Sequence, residues 1–284
     1  MPEEEAGPLG QKVSAPEQYD PAVLFPVPRA RGRSTLPAFD VAVAALPFQG
    51  WDSWNCYEAS WLDTRGLPTR HTLRLQVDCR TPNLVESKSL KLYLNSLNFR
   101  RFNSEADALA TIRADVGAVV GKAPGAPSLV VELSAPFGEP PLDTTAWKCI
   151  DDGVGLGGEL SCDVEEASAL RCCEGEPVSE RLVTHLLRTL CPVTGQPDWG
   201  SVLIEYTGAP IDRTGLLRYI VSLRREVGFH EVAIERIFLA LRTRCAPTEL
   251  TVTGRFLRRG GIDINPVRST SAPTSSTMCR VPGQ

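Results

Sequence analysis

The chain has 284 residues, with 30 Lys and Arg against 34 Asp and Glu for a formal charge of −4, and 42% of it is apolar. That length holds one large domain or two of about 140 residues, each able to bury a core. The near-even charge leaves no cation excess to displace counterions from a polyanion, which argues against nucleic-acid binding.

No apolar run reaches the roughly 18 to 20 residues that a membrane helix needs. The opening MPEEEAGPLG is acidic where a secretory signal is basic and then apolar, so the expected setting is the cytoplasm. Nine cysteines, at 56, 79, 149, 162, 172, 173, 191, 245 and 279, are an odd number without a disulfide framework. In a reducing compartment they are free thiols. His71, His185 and His230 lie far apart, and Cys172-Cys173 lacks a C-x-x-C spacing, so no metal site is expected.

Residues 1–35 hold five acids and six prolines without apolar periodicity, which predicts an extended N-terminal arm. A first module follows over 36–150. In it HTLRLQVDC (71–79) alternates as a strand does, and Leu90, Leu94 and Leu97 recur at helical spacing. A second helix starts near Ser104, and GKAPGAP (121–127) is a loop before the strand SLVVEL (128–133). GVGLGG (153–158) matches the dinucleotide fingerprint, but the aspartates of WKCIDD precede it and ELSCDVE follows with the alternation of a strand. It reads as an inter-module loop.

A second module spans 160–270. LVTHLLRTL (182–190) and GSVLIEYTG (200–208) alternate, Leu216, Ile220 and Leu223 mark a helix, and another begins near His230. The tail, 271–284, is loosely held. Laying 85–112 over 211–238, an offset of 126, aligns Leu90 with Leu216, Tyr93 with Tyr219, Ser96 with Ser222 and Glu105 with Glu231. The fold class expected from this weak repeat is α+β: two tandem modules, each a strand meander with two helices segregated to one face.

Four segments carry chemistry. In LCPVTGQPDWGSV (190–202), Cys191 ends an apolar alternation just before Pro192, a junction expected to expose a side chain at a sheet rim. Asp198 can fold back across the turn towards it. A free thiol is only a few per cent thiolate at neutral pH and needs a positive neighbour or a helix N-terminus to attack efficiently. VESKSLKLYLNSLN (85–98) carries Glu86, Lys88 and Lys91 and holds two of five lysines beside 25 arginines. Lysine is a compact point charge suited to a phosphate or a proton-transfer neighbour; a solvated helix face is the alternative. In GFHEVAIERI (228–237), His230 and Glu231 open a helix, where an acid also serves as a cap. The pair Arg258-Arg259 before Gly260-Gly261 clamps a phosphate or forms a turn.

Together ESKSLKLYLNS, CPVTGQPDWGS, FHE and RRGGIDINP resemble the NADPH-dependent 7-cyano-7-deazaguanine (preQ0) reductases, the nitrile reductases of queuosine biosynthesis, in their long, two-module form. The resemblance covers roughly 40 to 270. It implies a tunnelling fold (T-fold) with antiparallel sheets and helices on one face, and a homodimer acting on the small molecule preQ0, with neither nucleic acid nor membrane as partner. It implies two NADPH per nitrile, a Cys191 thioimide, Asp198 as proton donor with its pKa raised beside Trp199, and His230 as proton shuttle.

Val85, Glu86, Ser87, His230 and Glu231 then belong to the substrate, Glu231 accepting from the ring N1–H and 2-amino group. Ser87, Lys88, Arg259 and Gly260 belong to the cofactor phosphates, and no metal is implied. At the aligned positions Asp212-Arg213-Thr214 replaces Glu86-Ser87-Lys88 and Ser104-Glu105 replaces His230-Glu231, so the modules divide the labour. The competing readings are a zinc-requiring GTP cyclohydrolase-like T-fold hydrolase, a nitrilase-like hydrolase, and a non-catalytic purine-binding T-fold protein, the last favoured by a buried Cys191.

Overall fold

The computed structural model describes residues 7, 8, 10, 13–36, 46–125, 127–134, 140, 141, 143–153, 157, 165–272, 280, 281 and 284. In chain order its elements are β1 (Pro26–Pro28), α1 (Arg29–Arg33), β2 (Gln49–Leu62), β3 (Pro68–Asp78), β4 (Asn83–Val85), α2 (Ser87–Ser96), α3 (Glu105–Val120) and β5 (Leu129–Leu133). Then come β6 (Lys148–Cys149), β7 (Val178–Leu190), β8 (Pro197–Gly208), α4 (Arg213–Ser222), α5 (His230–Cys245), β9 (Glu249–Phe256) and β10 (Ile262–Ser269). They fall into two compact units, neither a continuous stretch of chain. The first takes the described residues of Met1–Thr35, Trp51–Glu139 and Arg258–Ile264, the second those of Leu36–Gly50, Pro140–Leu257 and Asn265–Gln284.

In the first unit β2 pairs antiparallel with β3, and β3 with β5. Leu73, Leu75, Trp54 and Val131 meet Leu90, Tyr93, Ile112 and Val116 of α2 and α3 in one buried core. The described residues of the segment expected to form an extended arm are built into this unit. Asp20 caps the 3-10 turn Pro21–Val23, and β1 pairs antiparallel with β4. Arg29 is 4% exposed and reaches the buried carboxylate of Asp52 at 2.6 Å. Apolar periodicity does not reveal such a segment, because side-chain polar contacts and a three-residue strand hold it.

In the second unit β7, β8, β9 and β10 pair antiparallel in that order, and β6 runs parallel to β7 at the edge. Leu216, Tyr219 and Ile220 of α4 and Ile234, Ile237 and Phe238 of α5 are buried. Gly254 of β9 provides clearance for α5: a Cβ there would lie 2.6 Å from Ile234 Cγ1.

The internal repeat is structural. Each unit has a long hairpin with one irregularity, between Cys56 and Ala59 in the first and between Thr184 and Leu187 in the second. Each hairpin ends in a matching pair, Leu62 with Pro68 and Leu190 with Pro197. Helices α2 and α4 start 126 residues apart and are capped by the side chains of Glu86 and Asp212. The α+β expectation of antiparallel strands with two packed helices per unit therefore holds.

Of GVGLGG only Gly153 and Gly157 are described, and of ELSCDVE only Glu165; the remainder of both motifs lies outside the described residues, as does most of the 271–284 tail. The described cysteines are free thiols, and no helix among the described residues is long and apolar enough to cross a membrane. Gly254→Ala should lower stability by about 1 to 3 kcal/mol through overpacking against Ile234, measured as a lower urea midpoint with unchanged slope.

Candidate active site

The end of β7 organises the second unit's chemistry. Leu190 pairs with Pro197 in the hairpin, donates its N–H to Glu226 O at 2.8 Å, and accepts from Gly228 N–H at 3.0 Å. The segment leading into α5 is thereby bound to the strand that leads into Cys191. Just beyond Leu190, the Cys191 N–H donates to Gln196 O at 2.9 Å and Gly195 N–H donates to Cys191 O at 3.0 Å, with Gly195 at φ +65. This tight loop closes over the cysteine.

Cys191 is consequently 8% exposed, not the open rim residue that its junction suggested. Its own loop folds back through the bonds to Gln196 and Gly195, and its neighbour Leu190 is bonded to residues 226 and 228, contacts that local sequence does not reveal. Its surroundings on the strand are polar. Thr189 pairs with Asp198, so both leave the same face, and Cys191 continues that face two residues on.

Asp198 is 6% exposed, and its Oδ1 lies 3.2 Å from His230 Nε2. The His230 ring stacks on Phe256 with centroids 3.9 Å apart and planes 6° apart. A carboxylate on one edge and an aromatic plane on one face fix the imidazole. With the proton on Nε2, Nδ1 presents a lone pair that is buried without a hydrogen-bond partner among the described residues. Glu231, 3% exposed, stands in the first turn of α5, where the helix dipole favours an anion.

Trp199 does not shield Asp198 as expected. Adjacent strand residues point to opposite faces, and Trp199 is 41% exposed, flanked by Arg224 and Arg188 at 5.2 and 6.0 Å from its ring. The aromatic that covers this site is Phe256. Sequence reasoning missed it because an aromatic in the strand-like run GRF reads as core.

In the first unit Glu86 is 2% exposed and caps α2, accepting from Lys88 N–H at 2.6 Å and Ser89 N–H at 2.8 Å. Burial pushes its carboxyl above the ordinary range, while those amides pull it down. Ser87 donates its hydroxyl to the same carboxylate at 3.2 Å. Val85 is buried in the core, and its strand pairs with β1. Glu86 and Val85 thus already serve the fold, and any contact they make with a substrate runs through backbone or through a carboxylate also engaged in capping.

Arg259 and Ile262 close a two-residue hairpin, Arg259 N–H donating to Ile262 O at 2.8 Å and Ile262 N–H to Arg259 O at 3.1 Å. Gly260 and Gly261 between them have φ +58 and +79, as a type I′ turn requires at both positions. The turn lies against α2: a Cβ on Gly260 would stand 3.2 Å from Lys91 Nζ, and Lys91 pairs with Glu58 at 3.3 Å. Beside it is a cavity of about 180 Å³ lined by Lys91, Asn95, Asn98 and Gly260. The turn reading and the clamp reading of RRGG are therefore compatible.

Two family models match the chain: "Nitrile reductase, 7-cyano-7-deazaguanine-reductase N-term" over residues 15–125 and "QueF-like protein" over 197–275. The chain belongs to this reductase family. A relative from Xanthomonas campestris pv. campestris (strain B100) is 46% identical over 96% of both chains. One from Desulfotalea psychrophila is 47% identical over 93% of both, and one from Stenotrophomonas maltophilia is 48% identical over 92% of this chain and 91% of that protein. All three carry the name NADPH-dependent 7-cyano-7-deazaguanine reductase.

Within this family assignment, the second unit brings together Cys191, Asp198, His230 and Glu231 around the end of β7, and the first unit brings Arg259 and Gly260 against α2, which opens with Ser87 and Lys88. Replacing Glu86 by Ala should cost about 1 kcal/mol by leaving the first amides of α2 without a side-chain acceptor. Urea unfolding of the variant measures this loss.

Proposed function

We propose that this chain reduces the nitrile of 7-cyano-7-deazaguanine (preQ0) to the primary amine 7-aminomethyl-7-deazaguanine with NADPH; its relatives are named NADPH-dependent 7-cyano-7-deazaguanine reductases. The observation that carries the reading is the pairing of Asp198 with a stacked, half-buried His230 beside the hairpin end that leads into Cys191.

A nitrile carbon is weakly electrophilic and its nitrogen barely basic, so the chain's own groups must activate it. Cys191 sulfur adds to the carbon while the thiol proton passes to the nitrogen, giving a thioimide, a C=N that can be protonated. Asp198 is the group that delivers this proton, and His230, bonded to it, reloads it. Once the carbon has been reduced, the C–S bond breaks and Cys191 leaves as thiolate. Glu231 accepts from the neighbouring N1–H and 2-amino group of the base in a fork.

NADPH, when bound, supplies one hydride for each of the two reductions. The residues of the first unit fit its phosphates. The glycine turn offers an open backbone beside Lys91 that a Cβ at Gly260 would crowd, and Lys88 and Arg259 add positive charge. Ser87, Lys88, Arg259 and Gly260 are the proposed holders. The same reading carries a homodimer in the cytoplasm, binding neither nucleic acid nor membrane, with the first module serving the cofactor and the second the covalent chemistry.

The low exposure of Cys191 favours one other reading, a purine-binding protein without catalysis. Supplying preQ0 and following nicotinamide absorbance separates the two: oxidation of two NADPH per preQ0 supports the reductase, and no oxidation rejects it. Cys191→Ala should abolish turnover, and wild type incubated with preQ0 alone should gain the whole substrate mass on the peptide containing Cys191. Glu231→Ala should weaken preQ0 binding by about 2 to 3 kcal/mol by leaving buried donors unpaired, read by calorimetric titration; unchanged affinity displaces Glu231 from that role.

A further inference from the structure

The second unit holds a cluster that the reductase chemistry does not use. Cys149, Asp151 and His185 bring a sulfur, a carboxylate oxygen and an imidazole nitrogen within 4.8 Å of one another. No sequence spacing announces it, because β6 lies beside a strand some thirty residues downstream: Cys149 is in register with Val183, and Ile150 N–H donates to Val183 O at 3.0 Å. His185 sits in the β7 irregularity, where residues 185 and 186 have no partner in β8. Such a bulge frees a backbone N–H and re-aims a side chain.

Both consequences are visible. The freed His185 N–H donates to Asp151 Oδ2 at 2.8 Å, and the ring Nδ1 lies 2.7 Å from the Ser201 hydroxyl. Asp151 Oδ1, by contrast, is buried and has no hydrogen-bond partner among the described residues. A buried carboxylate oxygen without a donor is costly unless something positive completes it.

We infer that Cys149, Asp151 and His185 bind a divalent zinc-class cation, Asp151 through Oδ1 and His185 through Nε2, with water or another exogenous group in the fourth position. The mixed S, O and N set suits a borderline-soft tetrahedral ion and not magnesium or calcium, which take oxygen alone. Metal bonds of about 2.0 to 2.3 Å set ligand atoms roughly 3.3 to 3.8 Å apart, so the cluster must tighten by about 1 Å. Cys149 is exposed and has room to swing. Ser201 is the outer partner that orients the ring, as hydrogen-bonded groups behind metal-bound histidines commonly do.

The cluster lies apart from the reductase residues. Ser201 follows Asp198 by three positions in β8, an odd interval, so their side chains leave opposite faces. The ion's work is to clip the two-residue edge strand β6 and the turn after it to β7.

The test strips the full-length protein with a chelator and titrates it with Co²⁺ under reducing, non-chelating conditions. The expected result is one ion per chain with a sulfur-to-cobalt charge-transfer band, displaced by Zn²⁺. Cys149→Ser should lose the band and Cys191→Ala should keep it, which separates this thiol from the nucleophile. Ser201→Ala should weaken affinity on the order of 10- to 100-fold. A band that survives Cys149→Ser, that vanishes with Cys191→Ala, or that never forms in the wild type overturns the proposal. Because Cys149 is exposed, its replacement leaves the core intact.

Discussion

The backbone around Leu190 is the constraint on which the second unit's chemistry depends. This one residue is held by the hairpin on one side and by residues 226 and 228 on the other. The hairpin end, with the loop that carries Cys191 and the strand start that carries Asp198, thereby shares one corner with a distant stretch, the helix start that carries His230 and Glu231. Side chains then complete what main-chain bonds begin. The Asp198 carboxylate and the Phe256 ring hold the imidazole by its edge and its face, so the ring is ordered before anything binds beside it.

Duplication explains why this chain needs two versions of one plan. The first unit repeats the hairpin, its irregularity and the pair of helices, yet where the hairpin end of the second unit carries Cys191 the first carries Asp63. Asp63 binds Arg65 and the amides of its own turn, and those contacts hold its carboxyl below the usual carboxylate range. An anion so satisfied is a loop-former. The first unit instead keeps the glycine turn against Lys91. Each copy is free to lose what the other retains because the shared plan, not the shared chemistry, builds the core.

The elements were legible in the sequence wherever burial on one face imposes a period: the alternation in β3, β7 and β8 and the helical spacing in α2 and α4 report a single buried side. The 126-residue offset was legible for the same reason. Features set by distant partners were not. Cys191 looks exposed until the backbone bonds of its loop and of its neighbour Leu190 are seen, and Arg29 looks like a solvated charge until Asp52 is found behind it. Glu86 was visible as important, but its adjacency to Ser87 and Lys88 does not distinguish a helix cap from a ligand contact. Phe256 and the Cys149 cluster were invisible because their neighbours are chosen by sheet register.

The irregularity in β7 has a consequence for how this gene can vary. Before it the deeply buried side chains include Leu182 and Thr184; after it they are Leu187 and Thr189, so inward-facing positions switch from even to odd numbers. Cys191 inherits the odd phase. Excising a single codon between Thr184 and Leu187 would remove the extra residue and make the ladder regular. Leu187 would stay opposite Gly200 and Thr189 opposite Asp198, and what would be lost is the re-aimed His185 and the freed N–H that it gives to Asp151.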